Sequence, residues 1–217
     1  MKIGVIGLGI VGSAVKFGLE SLGHNVKSHD IIYDTKIEDL KDTSICYICV
    51  PTPIGKSGVC DTSIVEDVVD QLHKINYEGI IAIKSTVVPG TTKNLQKKYN
   101  NTKICFVPEF LRERCAIADF CENHDLLVIG TSDQNIFTHV KASHGKFPQK
   151  VIQLSETEAE FCKYFNNIYN ATLITFANSF YEICKASDVD YGKIKDAIVN
   201  RKNILDKYGF QATVSPS

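Results

Sequence analysis

Three glycines, Gly7, Gly9 and Gly12, stand in the pattern G-x-G-x-x-G directly after the apolar run Lys2–Ile6. Alone, such a pattern marks little more than a tight turn. Between a strand and a helix it becomes an arrangement that holds a pyrophosphate on backbone N–H groups. Gly7 would permit the turn, Gly9 the approach of the phosphates, and Gly12 the close packing of helix on strand. The first helical turn, with Ile10 and Val11, would offer unpaired N–H donors and the positive end of the helix dipole. Asp30 follows a second β-like run, Asn25–His29, where a carboxylate can accept hydrogen bonds from an adenosine ribose. Its charge would repel a 2′-phosphate, and no arginine precedes Arg112, so NAD is expected over NADP. The bland alternative makes Asp30 a solvated turn residue.

A second set of residues could handle protons. Lys163 and Asn167 are four apart, so on a helix they share a face and can converge on one oxygen. An aromatic-rich helix can desolvate such a lysine and lower its pKa. Glu109 and Glu113 bracket the end of the strand-like run Lys103–Val107, with Pro108 holding Glu109 extended. Thr52 and Thr86 each follow a strand candidate, and their hydroxyls could reach a cofactor or a water. Against these stand plainer readings: a loop salt bridge of the glutamates with Arg112 or Arg114, a solvated Lys163, and turn threonines bonding their own backbone.

These residues need a frame. Further strand-like runs are Ile45–Val50, Gly79–Lys84 and Asp125–Ile129, separated by helix-length or loop-length segments that include a helix from about Ser63 to Lys74. Strands alternating with helices predict an α/β fold, a doubly wound, mostly parallel Rossmann-type sheet. The pattern changes after Val151–Leu154. Ser155 and Glu158 form a capping-box signal, and no proline or glycine follows until beyond Ala186, which predicts one long helix and then a second over Tyr191–Asn200. A partial all-helical domain is therefore expected over 155–217, after a cofactor domain over 1–154, with Tyr208–Ser217 as a turn-like tail.

A net charge of −1 supplies no basic excess for nucleic acid or an anionic membrane. No apolar run is long enough to span a bilayer, and Met1 leads straight into a strand, so a cytoplasmic protein without a membrane role is expected. The eight cysteines are irregularly spaced. Cys46 and Cys49 have a metal-pair spacing but lie in a strand-like run, where residues three apart point to opposite faces; they read as core residues, and no metal site is expected.

Four segments carry a family resemblance: Val50-Pro51-Thr52-Pro53, Lys84-Ser85-Thr86-Val87-Val88-Pro89-Gly90, Val107-Pro108-Glu109-Phe110-Leu111-Arg112-Glu113, and Glu160-Phe161-Cys162-Lys163-Tyr164-Phe165-Asn166-Asn167. In this order and spacing the chain resembles the UDP-glucose/GDP-mannose dehydrogenases from Lys2 to about Ile204. The resemblance implies oxidation of a nucleotide sugar's primary alcohol to a carboxylate by two hydride transfers to NAD, with UDP-glucose the first guess for substrate. It implies catalytic roles for Lys163 and Asn167 on the substrate hydroxyl and its oxyanion, and for Glu109 in handling a water and its protons; Thr86, whose hydroxyl can reach a bound water, is the fourth catalytic candidate. It places Thr52, Thr86 and Glu113 by the cofactor and Glu109, Phe110, Leu111 and Arg112, with Lys163 and Asn167, by the sugar nucleotide. It also implies a homodimer through the helix that starts at Ser155.

The family's catalytic cysteine stands in a G-G-x-C-x-P-K-D segment that this sequence lacks, and none of its eight cysteines has that context. The chain is therefore expected to be a portion of a longer dehydrogenase, inactive alone, or else a short relative. Two other readings stay open. A 3-hydroxyacid dehydrogenase also uses a K-x-x-x-N pair and needs no cysteine, and a non-catalytic NAD-binding or dimerising module needs neither.

Overall fold

The fold was analysed in a computed structural model that describes residues 1–55 and 58–200. Seven short strands form one sheet: β1 (Lys2–Ile6), β2 (Asn25–His29), β3 (Ile45–Ile48), β4 (Ile80–Ile83), β5 (Lys103–Phe106), β6 (Leu126–Gly130) and β7 (Lys150–Leu154), in the order β2-β1-β3-β4-β5-β6-β7. Neighbours run parallel, except that β5 and β6 meet antiparallel at one pair, Phe106 with Gly130. The helices are α1 (Ile10–Ser21), α2 (Ser63–Lys74), α3 (Thr91–Lys98), α4 (Ala116–Cys121), α5 (Gln134–Ser143), α6 (Glu156–Ala186) and α7 (Tyr191–Val199). This is the doubly wound α/β architecture expected from the alternation of runs.

The strands β3 and β4 are buried at every position, as a parallel sheet covered on both faces requires. Alternate residues feed two cores. Ile6, Cys46, Ile48, Ile81 and Ile83 pack on one side, and Ile3, Val5, Ile45, Tyr47 and Ala82 on the other. Cys46 thus belongs to one core, whereas Cys49 packs against the other, as their spacing on extended chain dictates. Chain order reverses between β1 and β3, which leaves a crevice at the carboxyl ends of those strands.

Helices α3 and α5 leave little mark in the sequence because their apolar stripes are narrow. Only Thr92 and Leu95 are buried on α3, and Ile136, Val140 and Ser143 on α5. The long helix is capped as its sequence predicts: Ser155 N and Oγ donate to Glu158 at 2.9 and 2.6 Å. Residues Met1–Tyr164 form one compact unit and a second begins at Phe165, so α6 starts in the first and continues in the second. The expected tail, 208–217, lies outside the described residues. Among the described residues no helix is long and apolar enough to cross a membrane.

Candidate active site

The crevice starts at the glycine turn. Gly7 has φ +85°, and its amide donates to His29 O at 2.9 Å, tying the turn to β2. A Cβ on Gly12 would overlap the Gly7 carbonyl, so helix and turn touch backbone to backbone. A Cβ on Gly9 would meet nothing within 4 Å. Gly9 is the N-cap of α1, and no side chain caps it. The amides that open α1 therefore face open space, a fit for the phosphates of a dinucleotide.

Asp30 braces this turn. Its Oδ2 accepts from Leu8 N at 2.6 Å and its Oδ1 from Ile32 N at 3.1 Å. These two amides, Leu8 first, hold its carboxyl below the ordinary carboxylate range. Each oxygen keeps a lone pair for a further donor such as a ribose hydroxyl.

From Gly9 a cleft of about 480 Å³ extends along the carboxyl edge of the sheet. It brings together Ile10, Val11, Thr52, Thr86, Glu109, Leu111, Glu113 and Lys163, contributed by the ends of β1, β3, β4 and β5 and by α6. Gly7, Gly12, Asp30, Phe110, Arg112 and Asn167 lie outside its lining. Thr52 and Thr86 are half-buried, and among the described residues neither hydroxyl has a hydrogen-bond partner. The Cys60 thiol reaches the Thr86 carbonyl at 3.5 Å.

At the far end Lys163, 6% exposed, donates to Glu109 O at 2.6 Å and to Glu109 Oε1 at 3.2 Å, and its ammonium stands 5.9 Å from the centre of the Phe110 ring. Glu109 Oε2 accepts from Leu111 N at 2.7 Å. Lysine and glutamate are thus a buried pair 54 residues apart, and the solvated lysine does not occur. Arg112 makes a salt bridge, but with a different acid from the two weighed in the sequence. It forks onto Asp119 at 2.9 and 2.7 Å and holds that carboxyl down at about 2. Glu113 is exposed at the cleft edge. Asn167 is exposed and belongs to the second unit.

Two further charged residues of these segments, to which the sequence assigns no role, are buried. Lys84, directly after the apolar strand β4, is 3% exposed and lines the cleft; burial lowers its pKa, offset in part by Cys49 and Glu109. Glu160 is fully buried and caps α3, accepting from Thr92 N at 2.8 Å, Thr92 Oγ1 at 2.7 Å and Gly90 N at 2.5 Å. That cap fixes the second turn of α6, one turn before Lys163. An acid three residues ahead of the lysine on the same buried face was the available signal. The thiol in the cleft lining, Cys49, is pushed up by burial to about 12 and stays protonated at neutral pH.

Comparison with known proteins places this geometry. Residues 27–147 match the NAD binding domain of the UDP-glucose/GDP-mannose dehydrogenase family, and residues 157–215 match the family's central domain. The chain is 30% identical to a UDP-glucose 6-dehydrogenase of Rickettsia bellii over 94% of its own length and 56% of the relative. It is 27% identical to a GDP-mannose 6-dehydrogenase of Pseudomonas syringae, over 96% of its length and 58% of the relative. A ternary complex of GDP-mannose dehydrogenase from Pseudomonas aeruginosa superposes with a TM-score of 0.83 at 27% identity, covering 96% of this chain and 59% of that one. The chain thus spans less than three fifths of the relatives it matches. It belongs to the UDP-glucose/GDP-mannose dehydrogenase family and carries that family's NAD-binding domain.

Proposed function

We propose that the chain supplies the cofactor domain, residues 1–154, and the start of the central domain, from residue 155, of an NAD-dependent nucleotide-sugar 6-dehydrogenase of the UDP-glucose to UDP-glucuronate type. One observation carries the reading. An uncapped helix N-terminus at Gly9 and a buried lysine–glutamate pair, Lys163 with Glu109, line a single cleft.

Gly7, Gly9, Ile10, Val11 and Gly12 seat the pyrophosphate, and Asp30 takes the adenosine ribose. Bound NAD supplies the hydride acceptor. Thr52, Thr86 and Glu113 line the same cleft as Gly9 and are assigned to the nicotinamide half of the cofactor. Lys163 holds the substrate hydroxyl and its developing negative charge, with Asn167 as its proposed helical partner. Glu109 takes or returns a proton through a water beside Thr86. Phe110, Leu111 and Arg112 line the approach of the sugar nucleotide, Arg112 being shaped by Asp119.

The catalytic cysteine that the resemblance implies must react as a thiolate. Cys49 does not provide one, and these 217 residues hold no G-G-x-C-x-P-K-D segment. These residues alone are proposed to bind NAD without turning UDP-glucose over to UDP-glucuronate. A cytoplasmic location and a homodimer through α6 complete the reading. Phe161, Phe165, Ile168 and Ile183 are at least 58% exposed on that helix.

Thermal shift with NAD, NADP, UDP-glucose, GDP-mannose and 3-hydroxyisobutyrate tests this. A ligand at 100 times its dissociation constant adds about 2.7 kcal/mol of stability. NAD should stabilise the protein and NADP should not, and Gly9→Val should abolish the NAD shift. Stabilisation by the hydroxyacid in place of the nucleotide sugars overturns the substrate class. Steady NADH formation from UDP-glucose overturns the claim of inactivity.

A further inference from the structure

Lys84 and Lys163 both line the cleft, but only one of their ammonium groups is well served by the protein. Lys163 has two acceptors on Glu109. Lys84 Nζ has one hydrogen bond, to Val107 O at 3.4 Å, and no ion pair among the described residues. The Tyr47 ring centre lies 5.8 Å away, and that ring's own hydroxyl is turned to Ser143. An ammonium has three donors, and a buried one short of acceptors is strongly disfavoured: it gains a partner or gives up its proton, and burial lowers the Lys84 pKa in that direction.

Lys84 cannot easily swing out to water. Its amide donates to Ile48 O at 2.9 Å, and the next residue, Ser85, donates its hydroxyl to Val50 O at 2.7 Å. Both bonds lock the end of β4 to the end of β3, with Lys84 in the wall of the cleft. A purely structural lysine here would do no more than an apolar side chain does, and at greater cost.

We propose that Lys84 is a second substrate-binding ammonium of this cleft, which takes an oxygen of the sugar's reacting carbon and discriminates most strongly in favour of the carboxylate product. This rests on the nucleotide-sugar reading above. With Lys163 it would set two cations around a group whose negative charge grows as the alcohol becomes a carboxylate.

Isothermal titration of UDP-glucose and UDP-glucuronate into the NADH-loaded protein tests it, using the unaltered chain, Lys84→Met and Lys84→Arg. Methionine keeps an unbranched chain and removes the charge. Lys84→Met should weaken UDP-glucuronate by about tenfold or more, several times the loss for UDP-glucose. Lys84→Arg should restore much of the difference. The melting temperature of ligand-free Lys84→Met should stay level or rise, because no ammonium is left buried. A lower melting temperature with equal losses for both sugar nucleotides makes Lys84 structural and overturns the proposal. If the unaltered protein binds NADH but neither sugar nucleotide, the nucleotide-sugar reading itself fails, and the proposal fails with it.

Discussion

The two ends of the cleft are built by opposite means. At the phosphate end the working groups are backbone amides, and side chains act by being absent: Gly9 leaves space, and Gly12 lets helix meet turn. At the other end the groups proposed to act are charges held out of water, Lys84, Lys163 and Glu109, drawn from three segments far apart in sequence. The turn's amides are aimed by local bonds, Leu8 N to Asp30 and Gly7 N to His29 O. Buried charges must be supported by partners, and Glu160 clamping α6 to α3 is part of that support. The first end should therefore fail by steric intrusion and the second by loss of charge balance.

The largest expected effect separates two glycines three residues apart. Gly12→Ala puts a methyl into the Gly7 carbonyl, where only backbone could yield, and should cost roughly 3 kcal/mol or more in chemical denaturation. Gly9→Ala meets nothing and sits at φ −67°, so stability should change by less than about 0.5 kcal/mol. Equal losses in the two variants would break the claim that Gly9 serves the ligand and Gly12 the fold.

Next comes the buried pair. Removing only the ammonium, in Lys163→Met, strands the Glu109 carboxylate and should destabilise by about 3 kcal/mol. The double variant Lys163→Met/Glu109→Gln should recover most of that, since neither charge is left alone. If the double variant is as unstable as the sum of the singles, the two residues do not act as a pair. Asp30→Asn should do less to the fold, about 1 kcal/mol, because an amide oxygen can still accept from Leu8 N. Its NAD affinity should nonetheless fall by about tenfold, measured by NADH fluorescence titration.

What could be read in the sequence follows the same division. The glycine turn, Asp30, the buried strands and the Ser155–Glu158 cap are each specified within a few residues, by a backbone angle, a spacing or a run of apolar side chains. The charged end is specified by partners 54 to 70 residues apart, Lys163 with Glu109 and Glu160 with Gly90 and Thr92. Such partners are invisible to local spacing. The resemblance led to Lys163 and Glu109, while Lys84 and Glu160 lie in the same quoted segments with only faint local signs, an apolar strand before the one and an i, i+3 lysine after the other. Arg112 shows the limit from the other side, since its acid is only seven residues on and was still not identified.

That Arg112–Asp119 fork gives the smallest effect and tests whether the loop after Glu109 is held by charge. The guanidinium side chain is 71% exposed and the carboxylate 9% exposed, so solvent screens the interaction. Arg112 holds the Asp119 carboxyl at about 2, below its ordinary 3.8. A carboxyl depressed in the folded state contributes stability that is complete above the unfolded pKa and lost as pH falls through the folded one. The contribution should therefore persist above about pH 4 and fade between 4 and 2. Arg112→Gln should flatten that limb of the stability curve and leave the region from pH 5 to 7 parallel to that of the unaltered protein. Raised salt should mimic the substitution at the fork and do much less to the buried Lys163–Glu109 pair, because mobile ions screen an exposed guanidinium but do not enter the cleft wall. Equal salt sensitivity in the unaltered protein and in Arg112→Gln would mean that the backbone hydrogen bond from Arg112 N to Asp119, at 2.9 Å, holds the loop and the charge does not.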